Sequence, residues 1–161
     1  MSKLPLVLRE LHRSETGLAR ELLALSDRHR ADHEIFHVAR DIARWSQTHV
    51  RRLAVVGGDH GLRLDPQPRW DRLRAPALAR RVGALVGRRP EPGLLLLADL
   101  RRLHRTAAGV SVDWELLGQA AQAMKEPALL EVVQACHPQT LRQMRWADAQ
   151  LKVISPQVIA S

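Results

Sequence analysis

Four long segments of the chain carry apolar residues at every third or fourth position, the spacing that places side chains on one face of an α-helix. Leu, Ala and Arg, which favour helices, are abundant, whereas aromatic residues make up only 3% of the chain and Tyr is absent. A sheet would draw on aromatic and β-branched residues. These observations predict an all-α protein in which four amphipathic helices share one core.

The predicted helices cover about residues 6–27, 31–56, 94–124 and 127–153. Short connections join the first helix to the second and the third to the fourth, so each pair is expected to form an antiparallel hairpin. Residues 57–93 form a long crossover between the hairpins, and residues 76–87 within it predict a short extra helix. Pro138 lies inside the fourth helix, where it is expected to kink the helix or to interrupt its backbone hydrogen bonding. A chain of 161 residues suits one domain.

Polar residues interrupt two of the apolar stripes. Glu15 lies between Leu11 and Leu18 on the first stripe, and Ser46 and His49 lie on the second. Burial of an unpaired carboxylate costs free energy, and a Glu15–His49 pair across two helices would satisfy both groups. The pattern predicts a polar site in the middle of the bundle, which is either a buried hydrogen-bond network or a site for a single metal ion or small ligand.

This arrangement resembles the ferritin-like superfamily of four-helix carboxylate proteins, and most closely the small bacterial ferritin-like stress proteins built from two helical hairpins. In that family the first and third helices each contribute an inward Glu. The second and fourth each contribute Glu-x-x-His, and the set holds two iron or manganese ions. The resemblance places Glu15 at the carboxylate position of the first helix and His49 at the histidine of the second, where Ser46 replaces the Glu.

The remainder of the di-metal pattern is incomplete. The third helix offers no inward Glu, Asp99 and His104 being the nearest candidates, and the fourth has His137 and Thr140 in place of Glu-x-x-His. A di-iron site needs hard oxygen ligands, so the resemblance implies no ordinary ferroxidase centre. The candidate ligands for a single Zn, Fe or Mn ion are Glu15, His49, His104 and His137.

A literal HExxH motif begins the second helix, with His33, Glu34 and His37. Two histidines four residues apart can chelate Zn²⁺, with the Glu as general base for a bound water. No strand-like segment precedes the motif, no third histidine follows at the usual spacing, and the first turn of this helix is expected to face solvent. A solvated His-rich turn is therefore favoured, with adventitious or structural metal binding and a zinc hydrolase as alternatives.

The positive charge of the chain is concentrated in one region. The formal net charge is +8, and residues 63–105 hold eleven Arg but only four acidic residues. Such a segment can bind nucleic acid or another polyanion, whereas general use of Arg on the surface is the competing interpretation. Trp70 in the same region could stack on a base or pack the crossover onto the bundle. The candidate polyanion-binding residues are Arg69, Arg72, Arg74, Arg80, Arg81, Arg88 and Arg89.

The single cysteine, Cys136, cannot form an intrachain disulfide and is expected to be a small buried hydrophobe. No signal peptide is visible, and no apolar run approaches the roughly 20 residues of a membrane helix. We therefore expect a soluble cytoplasmic protein without a membrane partner.

Taken together, these features predict a ferritin-like protein that lacks a complete di-iron carboxylate site and acts through binding or assembly. A homodimer is the expected oligomer, and a protein or a polyanion is a further potential partner. Enzymatic activity is the weaker expectation. The alternatives are a metal-dependent enzyme, either a zinc hydrolase using residues 33–37 or an oxidase with an altered site, and a polyanion- or nucleic-acid-binding module using the crossover.

Overall fold

The computed structural model describes residues 2–71 and 91–161. Its helices are α1 (Leu4–Arg28), α2 (His33–Asp59), α3 (Pro92–Met124) and α4 (Pro127–Ile159). These helices pack together as a bundle, and the described residues contain no strand, so the predicted all-α four-helix architecture is confirmed. The short helix predicted at residues 76–87 lies outside the described residues.

The order of contacts defines the topology of the bundle. Helix α1 packs against α2 and α3, and α4 packs against α2 and α3, so α1 and α4 are diagonal to each other. Ser14 bonds to Asp113 and Arg28 bonds to Asp99, which shows that α1 and α3 are antiparallel. The side-chain bonds between α2 and α4 follow the same reversed order. Two antiparallel hairpins therefore lie side by side, and α3 begins at the opposite end of the bundle from the end of α2.

Local sequence signals account for most of the helix ends. Pro5 lies in the first turn of α1, and the side chain of Asp32 caps α2 by accepting a hydrogen bond from the Ile35 amide at 3.1 Å. Lys125, in the left-handed conformation with φ of 55°, ends α3 before the tight turn into α4. Helix α2 continues through Gly57 and Gly58 to Asp59, three residues beyond its predicted end.

Helix α4 is longer than predicted. It extends to Ile159, six residues beyond the predicted end, and it is continuous through Pro138. Pro138 and Gln134 are both exposed, so the backbone carbonyl that loses its partner lies on the side of the helix that water reaches. Packing against α2 and α3 stabilises the helix around this position.

The core consists of the inward stripes of the four helices. On α1 and α2 every residue of the predicted stripes is buried, and α3 differs only at Met124, which is exposed. On α4 the apolar spacing predicted a stripe that is displaced by about one position from the buried face, and its members are Leu130, Val133, His137, Leu141, Met144 and Leu151. The buried residues of α4 are Leu129, Val133, Cys136, Thr140, Gln143 and Ala147. Two of these, Thr140 and Gln143, are polar and bond to residues of other helices. Apolar spacing alone therefore indicated the neighbouring face of α4.

The helices of the second hairpin approach each other closely at Gly118. A Cβ atom added to this buried residue would lie 3.2 Å from Cγ1 of Val133, which is tighter than an ordinary van der Waals contact. The absence of a side chain therefore permits the spacing of α3 and α4 at this level. Among the described residues, no helix combines the length and the apolar character needed to cross a membrane.

Candidate functional site

All four helices contribute side chains to a polar centre in the middle of the bundle. Glu15 on α1 is fully buried, and its Oε1 accepts hydrogen bonds from Trp114 Nε1 on α3 at 2.6 Å and from Thr140 Oγ1 on α4 at 3.1 Å. His49 Nδ1 on α2 lies 2.8 Å from the same oxygen. Each residue lies on the inward stripe of its helix, and this placement is what brings the four side chains together.

The second nitrogen of His49 also has a partner. Nε2 lies 2.8 Å from Oε1 of Gln139 on α4, and the ring meets Trp114 edge to face with centroids 5.7 Å apart. With the Gln139 amide in this orientation, both ring nitrogens face oxygen acceptors, as an imidazolium requires. Rotation of the amide by 180° would present an N–H to Nε2 and would suit a neutral ring. In both cases Nδ1 carries a proton toward Glu15.

Ser46 and Gln143 extend the polar centre between α2 and α4. The amide nitrogen of Gln143 donates to the Ile42 carbonyl at 2.8 Å and to the Ser46 hydroxyl at 2.9 Å. Both side chains are fully buried. Within the described part of the chain, Glu15 Oε2 and Gln143 Oε1 are buried acceptors that receive no hydrogen bond. The hydrogen bonds to Glu15 are therefore concentrated on Oε1, and Oε2 receives none.

The environment of Glu15 favours its charged form. Burial alone would raise the pKa of this carboxyl group, because a buried charge loses its hydration. The electrostatic attraction of His49 and the hydrogen bonds from His49 and Trp114 act in the opposite direction and outweigh burial. The pKa of Glu15 therefore lies below its ordinary value, and the group is a carboxylate at neutral pH.

The other predicted metal ligands make hydrogen bonds to groups other than Glu15 and His49. His104 Nδ1 is 3.2 Å from the Met144 carbonyl oxygen, and His137 Nε2 is 2.9 Å from the Ser111 hydroxyl. Both histidines are half-buried between α3 and α4. Across residues 2–71 and 91–161, no three or more His, Cys, Asp or Glu side chains are grouped so that they could hold a metal ion. The structure thus brings together Glu15 and His49, and a metal ion at the four predicted ligands stays a prediction.

The HExxH motif lies at the outer end of the bundle. His33 and His37 are exposed, with ring centroids 4.3 Å apart, as their spacing on one helix face requires. Oε1 of Glu34 accepts a hydrogen bond of 2.6 Å from the amide of Gln150 on α4. The carboxylate that would serve as general base in a hydrolase is therefore engaged in tying α2 to α4. The motif retains two exposed histidines as its metal-binding groups.

Of the seven arginines predicted to bind a polyanion, the structure describes Arg69. Arg69 is exposed, its Nη2 lies 3.2 Å from Oδ2 of Asp71, and its carbonyl oxygen accepts a hydrogen bond from Arg20 Nε at 2.9 Å. The remaining members lie outside the described residues, and they are Arg72, Arg74, Arg80, Arg81, Arg88 and Arg89. Polyanion binding by this set stays a prediction.

Cys136 is buried among apolar side chains of the core. Burial raises the pKa of its thiol to about 12, and this effect exceeds the opposing influence of Arg52. The side chain is therefore a neutral thiol at physiological pH and not a nucleophile.

Sequence reasoning identified Glu15, Ser46 and His49 but did not assign roles to Trp114, Thr140 or the two glutamines. Trp114 lay on the predicted stripe of α3, and its indole N–H required a partner once it was buried. A buried indole N–H on one inward stripe and a buried carboxylate, Glu15, on another could have predicted that the two residues are bonded. Gln139 and Gln143 gave none, because polar residues on a long helix are ordinarily exposed.

Comparison of the chain with protein-family models, with curated proteins and with solved structures gives no match.

Replacement of Glu15 by Gln is expected to remove an acid-sensitive part of the stability. Because the pKa of Glu15 is lower in the folded state, the carboxylate contributes stability above about pH 4.5, and this contribution is lost as the pH falls through the folded pKa. Urea denaturation should show that Glu15→Gln lowers the free energy of unfolding by about 2–4 kcal/mol at pH 7. The difference from wild type should shrink toward pH 3.

The matched control is Glu10→Gln on the same helix, where the carboxylate is exposed and pairs with Arg13. This variant should follow the wild-type stability at every pH. A difference between Glu15→Gln and wild type that is the same at pH 7 and pH 3 would contradict the assignment of a charged, stabilising carboxylate.

Proposed function

We propose that the chain is a ferritin-like four-helix bundle whose interior is a structural polar centre and not a redox site, and that it acts through binding or assembly. One observation carries the proposal. The indole of Trp114 occupies the inward position of α3 at the level of Glu15 and donates to the carboxylate at 2.6 Å. The indole N–H therefore bonds to a carboxylate oxygen that would be a metal ligand in a metal centre of this family.

The topology supports the ferritin-like part of the proposal. Two antiparallel hairpins are joined by a long crossover, and α1 is the neighbour of α3 while α2 is the neighbour of α4. The resemblance anticipates this order, and it also anticipates inward polar residues at one level of all four helices.

The residues at this level do not fit a di-metal centre. Such a centre needs several carboxylate ligands, whereas the positions that the family pattern would fill with ligands hold Ser46, Trp114 and Thr140. A single ion at Glu15 and His49 does not fit the observed arrangement either. Both nitrogens of the His49 ring already face partners, on Glu15 and on Gln139, so an ion would have to displace one of them.

Metal analysis tests this part of the proposal. Protein purified without chelators should contain Zn, Fe and Mn at well below one ion per chain, and Fe²⁺ or Mn²⁺ should not raise the melting temperature. Any stabilisation by Zn²⁺ should come from the two exposed histidines. It should then disappear in His37→Gln and persist in His49→Gln. One equivalent of bound iron or manganese that is lost in Glu15→Gln would contradict the proposal.

The outer face of α3 is the surface that we assign to assembly. In the described residues nine large apolar side chains are exposed, and five of them lie on α3. Val112 and Leu116, one turn apart near its middle, are 54% and 56% exposed. Exposed apolar side chains that adjoin on one helix face are a feature of interaction sites. Because a pairing about a two-fold axis near these residues would place Val112 against Leu116 of a second copy, we propose a homodimer.

Light scattering coupled to size-exclusion chromatography tests the dimer. The wild-type protein should have twice the 18.1 kDa mass of the chain. Leu116→Glu should shift the mass to that of a monomer, because the charge would be buried against an apolar surface. Val55→Glu is the matched control, since Val55 is 70% exposed on α2, away from this face. A monomeric wild type, or equal dissociation by both variants, would contradict the assignment.

A further inference from the structure

A cavity of about 360 Å³ lies at the outer surface of the first hairpin, apart from the buried centre. Its walls come from the last turns of α1, from Arg40 on α2 and from the end of the described crossover segment at Trp70 and Asp71. The volume lies in the range of small-molecule sites. None of its lining residues belongs to the buried centre or to the outer face of α3.

Trp70 forms one wall and is held in place by its neighbours in the chain. The residue before it, Arg69, accepts the 2.9 Å hydrogen bond from Arg20 on α1, and farther back the Asp65 carbonyl oxygen lies 2.7 Å from His12 Nε2. The crossover is thereby fastened along α1. Leu23 and Ala24 of α1 line the same cavity as the half-buried indole. An apolar surface beside an anchored aromatic ring suits a flat ring system such as a nucleobase.

The charges around the cavity favour an anion. Three arginines, at positions 20, 28 and 40, and two aspartates, at positions 27 and 71, line it, which leaves one net positive charge. Arg28 Nε donates to Asp99 at 2.9 Å, so this arginine is partly committed to holding α1 on α3. Arg40 instead pairs with Asp27 at 3.2 Å, and both groups are exposed. Exposed pairs of this kind contribute little stability, so Arg40 can exchange its partner for a phosphate.

We propose that this cavity binds a nucleoside phosphate. The base stacks on the indole of Trp70, and the phosphate is held by the guanidinium groups of Arg20 and Arg40, which suit phosphate oxygens in number and geometry. Asp27 accepts hydrogen bonds from the hydroxyl groups of the sugar. The same chemical unit occurs as a free nucleotide and within single-stranded nucleic acid, and the experiment below separates these sources.

The test uses the full chain and follows tryptophan fluorescence and calorimetric heat during titration with AMP, with ATP, with an oligonucleotide of eight deoxythymidines and with inorganic phosphate. We expect saturable quenching by nucleotide at low ionic strength. Trp70→Leu should remove the quenching and weaken binding about tenfold or more. Arg40→Gln should also weaken binding. Its matched control is Arg44→Gln on the same helix, since Arg44 is also exposed, pairs with Asp41 at 3.1 Å and does not line the cavity.

Binding of AMP or ATP that the oligonucleotide does not improve supports a free nucleotide, and tighter, steeply salt-dependent binding of the oligonucleotide supports a single strand. Absence of saturable binding by all nucleotide probes overturns the proposal. Equal weakening by Arg40→Gln and Arg44→Gln also overturns it, because general charge attraction then suffices. Binding of inorganic phosphate as strongly as AMP, with Trp70→Leu unaffected, would exclude the stacking site. None of these results depends on the metal content or the dimer.

Discussion

A carboxylate enclosed in the core of a helical bundle must receive hydrogen-bond donors from the protein, and Glu15 receives them from three other helices. This requirement fixes the position of each helix along the bundle axis relative to the other helices. A shift of α3 by one turn would remove the indole of Trp114 from the carboxylate, and a shift of α2 would remove His49. Buried charged groups contribute weakly to net stability because of their desolvation, but they discriminate against alternative registers. We infer that the centre selects one packing of the four stripes.

A second polar cluster fixes the end of the bundle where α3 begins. Asp99 accepts hydrogen bonds from Arg28 and Arg102 and lies 2.8 Å from His29 Nε2, and Arg102 also donates to Glu21. Burial would raise the pKa of Asp99, but the hydrogen bond with His29 and the charges of Arg28 and Arg102 outweigh it and lower the pKa. Apolar layers lie between this cluster and the centre at Glu15. The α1–α3 interface is thus specified by polar contacts at two levels and stabilised by Leu-rich packing between them.

The sequence predicted the architecture well, because apolar periodicity on α1, α2 and α3 is strong and local. It also predicted the inward positions of Glu15 and His49. It did not pair Trp114 or Thr140 with Glu15, because these residues are separated from Glu15 by 99 and 125 positions along the chain. The inward face of α4 was misassigned for the same reason. Thr140 and Gln143 can be buried only because other helices supply their hydrogen-bond partners. The spacing of residues within α4 does not reveal those partners.

The central claim is that Glu15 and Trp114 interact directly as a charged acceptor and its donor. A double-mutant cycle of Glu15→Gln and Trp114→Phe measures this interaction, since Phe retains most of the ring but lacks the N–H. The cycle should give a coupling free energy of about 1–3 kcal/mol at pH 7, because hydrogen bonds to charged groups are strong. Additive effects of the two substitutions at pH 7 would contradict the claim.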